Sequence, residues 1–239
     1  MRPKGTTPRF GALHRHYART DSTNTRAREL AAAGAPHGTV VTAGEQTEGR
    51  GRQGRTWIAP PGKALLYSAI LRPLGERPLL PLAAALAVCE VAEALQPKIE
   101  CGVKWPNDVQ VDGRKLAGVL IEARPQDDWG VIGIGLNLAI QLDELPPELR
   151  DTATSLGGGA SAAEARDTLS DRLARWTEEA DGGILAAWRE RDALRGREVA
   201  WDGGSGVADG VDDRGSLVVV TLDGDRVVLG AGEVHLTRA

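Results

Sequence analysis

Between residues 101 and 138 short β-prone runs alternate with turn chemistry, and this stretch limits the fold more than any other. Residues 101–105 and 109–111 read as strands, Asp112-Gly113 as a two-residue hairpin turn, and 115–122 and 131–138 as two further strands. Consecutive strands joined this tightly form a meander, so the sheet is mixed or antiparallel. Helices must then cover it, and the expected architecture is α+β with the helices on one face. The helices come from residues 23–33, capped by Ser22 or Thr23 and stopped by Gly34, from 79–95, and from a region over 162–195. In the last, Leu169, Leu173, Trp176, Leu185 and Trp188 recur at near-helical spacing. Residues 39–43 and 64–71 add strands. Beyond a flexible break at Gly157–Gly159, the texture changes once more at Gly196, to short β runs with Asp-Gly turns. These predict a small C-terminal barrel over 195–239, dependent on the larger domain of 1–194 for its stability.

Several function classes are excluded at this point. The 239 residues can build a proper core, and 41% hydrophobic with 26% charged residues is a globular composition. The net charge of −4, from 29 Lys and Arg against 33 Asp and Glu, provides no broad footprint for duplex nucleic acid. The most apolar stretch, 79–95, carries Glu90 and Glu93 and is too short and too charged to span a bilayer. Residues 1–10 have basic groups but no apolar run behind them, so no secretory signal is expected and the location is read as cytoplasmic. Cys89 and Cys101 show no C-x-x-C spacing and no cluster with His, which argues against a zinc site, a redox pair or a disulfide framework. His14, His16, His37 and His235 have no ligand spacing and receive no catalytic role.

The chemistry gathers in a few short segments. In GRGRQGRTW, residues 49–57, Gly49, Gly51 and Gly54 allow close backbone approach while Arg50, Arg52 and Arg55 bring three guanidinium forks to one loop. Anionic oxygens are the natural guest, although a solvated basic loop or an RNA-contacting segment has the same composition. The P-loop pattern is absent, and G-x-G-x-x-G lacks its strand-turn-helix setting. KWPND, residues 104–108, puts Lys104, Asn107 and Asp108 at a strand end. Asp108 could coordinate Mg²⁺ on a nucleotide or take a proton from an amine, or Asn107-Asp108 could simply form an Asx turn. Lys115 opens an apolar strand and either binds a carboxylate or guards a sheet edge. Asn137, closing GIGLN, could reach a phosphate or base, or end a tightly packed strand. Ser22, Thr23 and Asn24 read as a helix N-cap, yet with Gln46 they could also satisfy a ring bearing two N–H groups and a carbonyl. Trp57, Trp105 and Trp129 suit a core or the wall of a pocket.

Together, DSTN at 21–24, GRGRQGRTW at 49–57, KWPND at 104–108, KLAG at 115–118 and GIGLN at 133–137 resemble the biotin protein ligases in order and approximate spacing. GREV at 196–199 and GEVHL at 232–236 look like that family's C-terminal cap. The resemblance implies the class II synthetase-like mixed sheet followed by an SH3-like barrel. It implies ATP-dependent conversion of biotin to biotinyl-5′-AMP, then transfer to a lysine of a biotin carboxyl carrier domain. By the same resemblance Ser22, Thr23, Asn24, Gln46, Arg50, Gly51, Arg52 and Lys115 would hold biotin. Gly49, Arg50, Arg52, Arg55, Trp57, Lys104, Asn107, Asp108 and Asn137 would face ATP and the adenylate. Lys115, Arg52 and Asp108 would carry catalysis. ATP and Mg²⁺ are the implied cofactors, with no certain protein metal ligand, and a homodimer is possible.

Only 20 residues precede Asp21, so no operator-binding domain, and no repressor function, is expected. Two rival readings remain at this level. A lipoate or octanoate ligase would share the fold but would not use a ureido-matching polar set. An RNA-binding module would use the Arg loop without ATP turnover.

Overall fold

The computed structural model of the chain describes residues 9–230 and 234–236. Its larger sheet runs in the order β1 (His14–Tyr17), β2 (Val40–Ala43), β3 (Ala64–Leu71), β7 (Trp129–Asn137), β6 (Arg114–Arg124), β5 (Asp108–Val111) and β4 (Gly102–Lys104). β1 and β2 are parallel and every other neighbouring pair is antiparallel, so the sheet is mixed, as the meander predicts. The β5–β6 turn falls on Asp112 and Gly113, at φ 50° and 74°, the two left-handed positions that a type I′ hairpin requires. β1 has no counterpart in the sequence reading: its four residues HRHY are short and largely exposed, and they carry no apolar alternation.

Helices lie on both faces of this sheet, which corrects the one-face expectation. Ala27 and Ala31 of α1 (Thr23–Ala32) pack with Val41, Ile70, Trp129 and Val131. The opposite face, with Leu65, Tyr67, Leu71, Ile132 and Leu136, shares a core with α2 (Leu80–Leu95), α4 (Ala162–Glu178) and α5 (Asp181–Glu190). The physical reason is visible in β3, where all eight residues are buried. Successive side chains of a strand point to opposite faces, so a strand apolar on every residue needs cover on both.

α2 is buried almost all round because the sheet lies on one side and α4 on the other. Its two acids serve as anchors at the rim of that core: Glu90 pairs with Arg172 and Arg175, and Glu93 with Arg191. The helical region expected over 162–195 breaks at Glu179-Ala180, which are extended, and α5 stops at Glu190. Residues 191–193 instead run beside β4, with Val103 N–H donating to Arg191 O at 2.7 Å and Ala193 N–H to Val103 O at 3.0 Å. That pairing covers an edge which would otherwise expose its backbone groups. A short helix, α3 (Pro147–Arg150), follows the strand β7.

The C-terminal strands β8 (Glu198–Trp201), β9 (Gly204–Val211), β10 (Leu217–Val220), β11 (Arg226–Leu229) and β12 (His235–Leu236) form an antiparallel sheet in the order β11-β10-β9-β8-β12. Among the described residues this sheet is open, with β11 and β12 at its edges, so the expected closed barrel is not formed there. Its apolar face is closed by the neighbouring helices. Val199, Ala208, Val211, Leu217 and Val219 join the core of α2 and α5, and Trp105 Nε1 donates to Gly215 O at 2.9 Å. Of the GEVHL match, Gly232 and Glu233 lie outside the described residues. No helix among the described residues is long and apolar enough to cross a membrane.

Candidate active site

The chemistry-bearing segments converge on the α1 face of the larger sheet, beside the N-terminus of that helix. Three glycines strip the sheet there. A Cβ on Gly133 would lie 2.2 Å from Asn24 Oδ1, one on Gly135 2.4 Å from Trp57 Cε2, and one on Gly118 3.2 Å from both Trp57 and Lys115. The GIG spacing therefore seats Asn24 and the Trp57 indole against bare backbone. Above this floor lies a cleft of about 550 Å³.

One wall of the cleft is a continuous polar chain. Gln46 Oε1 accepts from Thr23 N–H at 2.7 Å and from the Thr23 hydroxyl at 2.8 Å. The Ser68 hydroxyl lies 2.8 Å from Thr23 Oγ1 and 2.6 Å from Asn24 Oδ1, and Asn24 Nδ2 donates to Glu122 Oε2 at 2.7 Å. Ser22, Thr23, Asn24 and Ser68 are all buried, and partners fix the orientation of the Thr23 and Ser68 hydroxyls and of the Asn24 amide. Ser22 takes the N-cap position of α1 but makes no side-chain capping bond. Asp21 supports the helix start instead. Burial opposes its charge, but bonds from Arg26, Ser22 N–H and the Thr20 hydroxyl bring its carboxyl down to about 2.

The other wall is cationic. Lys115 Nζ sits 2.7 Å from Asp108 Oδ1 and 5.6 Å from the centre of the Trp57 ring. Burial pushes the Lys104 ammonium down; Asp108 opposes this, and nearby Lys115 and Arg55 reinforce it. Burial and Arg55 likewise lower Arg52, again against Asp108. Arg52, Lys104 and Lys115 thus bring positive charge to one wall of a cleft that Asp108 and Asp151 also line, a wall suited to an anionic guest.

The Gly/Arg loop is a small hairpin. Arg50 and Thr56 form an antiparallel bridge, Gly51 N–H donates to Arg55 O at 2.7 Å, and Trp57 N–H to Gly49 O at 3.0 Å. Gln53 is left-handed, at φ 54°. Gly49 is needed for steric reasons, since a Cβ there would lie 2.3 Å from Trp57 O.

Most of the sequence-derived residues meet in this cleft: Ser22, Thr23, Asn24, Gln46, Arg50, Gly51, Arg52, Arg55, Trp57, Lys104, Asn107, Asp108 and Lys115 all line it. Two do not. Gly49 lines an adjoining hollow of about 800 Å³ on the other side of the loop. Asn137, expected near the nucleotide, is not among the lining residues: it is buried two positions beyond Gly135 on β7, its Nδ2 donates to Thr154 O at 2.8 Å, and its Oδ1 has no partner among the protein atoms. Asn107 lines the cleft, but its amide donates to Val119 O at 2.6 Å and so extends the sheet just before β5 begins.

Sequence reasoning missed Ser68 and Glu122, which hold Thr23 and Asn24 in place, and the C-terminal pair His235 and Leu236, which line the cleft. Ser68 carried a signal: it is the lone hydroxyl of small size in an otherwise apolar strand, and a buried hydroxyl needs a partner. Glu122 carried a weaker one, an acid ending the apolar run KLAGVLIE. His235 had none, because only the tertiary fold brings β12 to this place.

As for a metal, no group of three or more His, Cys, Asp or Glu side chains that could hold an ion occurs among the described residues. Asp108 is the acid nearest the cationic wall, and it is engaged by Lys115. The donor set therefore does not make a protein-held Mg²⁺ cage.

Residues 17–138 match the model of the biotin/lipoate A/B protein ligase family. A biotin–[acetyl-CoA-carboxylase] ligase of Mycobacterium tuberculosis is 38% identical over 240 residues, covering 92% of this chain and 87% of that protein. The chain belongs to the biotin protein ligase family. A biotin protein ligase from Aquifex aeolicus, solved in complex with biotin and ATP, superimposes with a TM-score of 0.79 at 29% identity and covers 95% of this chain and all of that one. A bifunctional ligase/repressor of Bacillus spizizenii is 45% identical over 141 residues, 56% of this chain. The chain spans 43% of that relative's length.

Proposed function

We propose that this ligase-family chain activates biotin with ATP and passes the biotinyl group to a lysine of a carboxyl carrier domain. The observation that carries this reading is the pairing, in one 550 Å³ cleft, of a pre-oriented polar wall with a wall that bears Arg52, Lys104 and Lys115. The wall, from Gln46 through Thr23 to Asn24, offers the mixed donors and acceptors that a ureido ring needs. The cations suit a carboxylate and a triphosphate brought together. In the first step a carboxylate oxygen of biotin attacks the α-phosphorus, the bond to the bridging oxygen breaks, and pyrophosphate leaves. Lys115 and Arg52 offset the charge that accumulates. In the second, the acceptor amine attacks the acyl carbon, the bond to AMP breaks, and the amine proton passes to a base. Asp108 would take that role once a phosphate or carboxylate draws Lys115 away from it, a reading supported by their 2.7 Å contact. Mg²⁺ would be held by the triphosphate and neutralise it there, since no protein cage for it occurs among the described residues. The C-terminal sheet, read as an open relative of an SH3-like barrel, supplies His235 and Leu236 to the cleft.

The test is incubation of the purified protein with ATP, Mg²⁺ and either biotin or lipoate, following pyrophosphate release and the acyl-adenylate by mass spectrometry. Biotinyl-AMP from biotin alone is the expected result. Lipoyl-AMP would overturn the substrate, and no adenylate from either would overturn the activity.

A further inference from the structure

Glu122, at the edge of the adjoining hollow, joins the polar wall of the cleft to the Gly/Arg loop, and nothing in the reaction just described employs it. It stands on β6 four residues beyond Gly118, on the same side of the sheet, and pairs in register with Val131. Its Oε2 accepts from Asn24 Nδ2 at 2.7 Å and from Arg50 Nη2 at 3.2 Å, while its Oε1 faces Arg28 Nη1 at 3.3 Å. One carboxylate therefore holds α1, the Gly/Arg loop and the central sheet together. Arg50 Nη2 also reaches Thr25 Oγ1 at 3.1 Å, so the guanidinium is held along one edge. Its Nε is buried and has no partner among the protein atoms. A guanidinium fixed on one side with a donor left over on another is preorganised for an incoming anion.

We infer that Glu122 is a positioning residue: it holds Arg50 in the orientation that receives the substrate's anionic oxygens, and links that orientation to the Asn24 amide in the ring-binding wall. This inference rests on the ligase reading above. Glu122 uses only the Nη2 corner of Arg50, so it orients the cation and does not compete with the substrate for it. The shared Oε2 makes the consequence testable. In Glu122→Gln the amide oxygen can take the place of Oε2 and keep the Asn24 bond, while the charge that fixes Arg50 is lost.

The experiment measures biotin dissociation constants by calorimetry for the full chain, Glu122→Gln, Arg50→Ala and the double variant, with thermal melts alongside. Release of biotinyl-AMP is followed by labelling of bystander amines. Glu122→Gln is expected to weaken biotin binding about tenfold, the equivalent of one charge-assisted hydrogen bond, and to increase adenylate release, with little change in melting temperature. In the Arg50→Ala background the same substitution should have almost no further effect, because its action passes through Arg50. Additive effects in the double variant would overturn the proposal, and so would unchanged or tighter biotin binding in Glu122→Gln. A parent protein that forms no biotinyl-AMP would instead overturn the functional reading, so the two failures are distinguishable.

Discussion

Single atoms set the limits of the cleft, most plainly at its floor. Gly133→Ala would drive a methyl group to 2.2 Å from Asn24 Oδ1, and the methyl of Gly135→Ala would meet the Trp57 ring at 2.4 Å. Overpacking of this kind costs about 1–3 kcal/mol. Both variants are expected to fold with lowered melting temperature, while biotin binding drops at least tenfold for Gly133→Ala because the polar wall shifts. Calorimetric titration beside a thermal melt separates the two effects, and an unchanged affinity would show that Asn24 is not a ligand. For Lys115→Ala, removing the ammonium 2.7 Å from Asp108 leaves that carboxylate without its nearest counter-charge and the substrate carboxylate without a partner. Pyrophosphate release should fall by about a hundredfold, in line with a loss of 2–5 kcal/mol. A rate close to that of the parent protein would remove Lys115 from the mechanism. Arg52→Gly is expected to leak biotinyl-AMP to bystander amines, since a half-buried cation at the loop tip is withdrawn from the adenylate. Retention as tight as in the parent protein would contradict that role.

At the scale of elements, α1 and α2 show how a sequence signal can be right about form and silent about partners. The α1 start depends on Asp21, whose carboxyl is held near 2 by Arg26 against its burial. A folded-state pKa below the unfolded one makes the stabilisation complete above about pH 4; it is lost as the pH falls through about 2. Asp21→Asn should therefore destabilise the protein at neutral pH, and the difference from the parent should vanish near pH 2. Denaturant melts at stepped pH check this, and a constant difference would exclude the carboxylate as its source. In α2, Cys89 sits beside Cys101 at the start of β4; both are free and buried. A hydrogen bond from the Cys89 thiol to Cys101, together with burial, pushes that thiol up. Thiol reagents are expected to label neither until the protein unfolds, and rapid labelling of the native state would contradict that packing. The spacing of Cys89 and Cys101 in sequence gave no hint of this neighbourhood.

For the molecule as a whole, the decisive feature is that both sheets share one core. Val199, Val211 and Leu217 of the C-terminal sheet belong with α2 and the larger sheet, and residues 191–193 pair with β4 on the way. A single cooperative transition in calorimetry is the expected outcome, and two resolved transitions would show separable units. Local chemistry is what the sequence determined by itself: the I′ turn at Asp112-Gly113, the strands around it, the helix after Ser22, and thirteen of the cleft-lining residues through their motifs. Backbone propensity and residue type act over a few positions, so they are legible in one dimension. The tertiary structure alone decided the rest. It placed α1 on the second face, left the C-terminal sheet open among the described residues, bonded the Asn137 amide to Thr154, and brought Ser68, Glu122 and His235 into or beside the cleft. Those outcomes depend on which surfaces meet across long sequence separations, where burial and pairing override local preference.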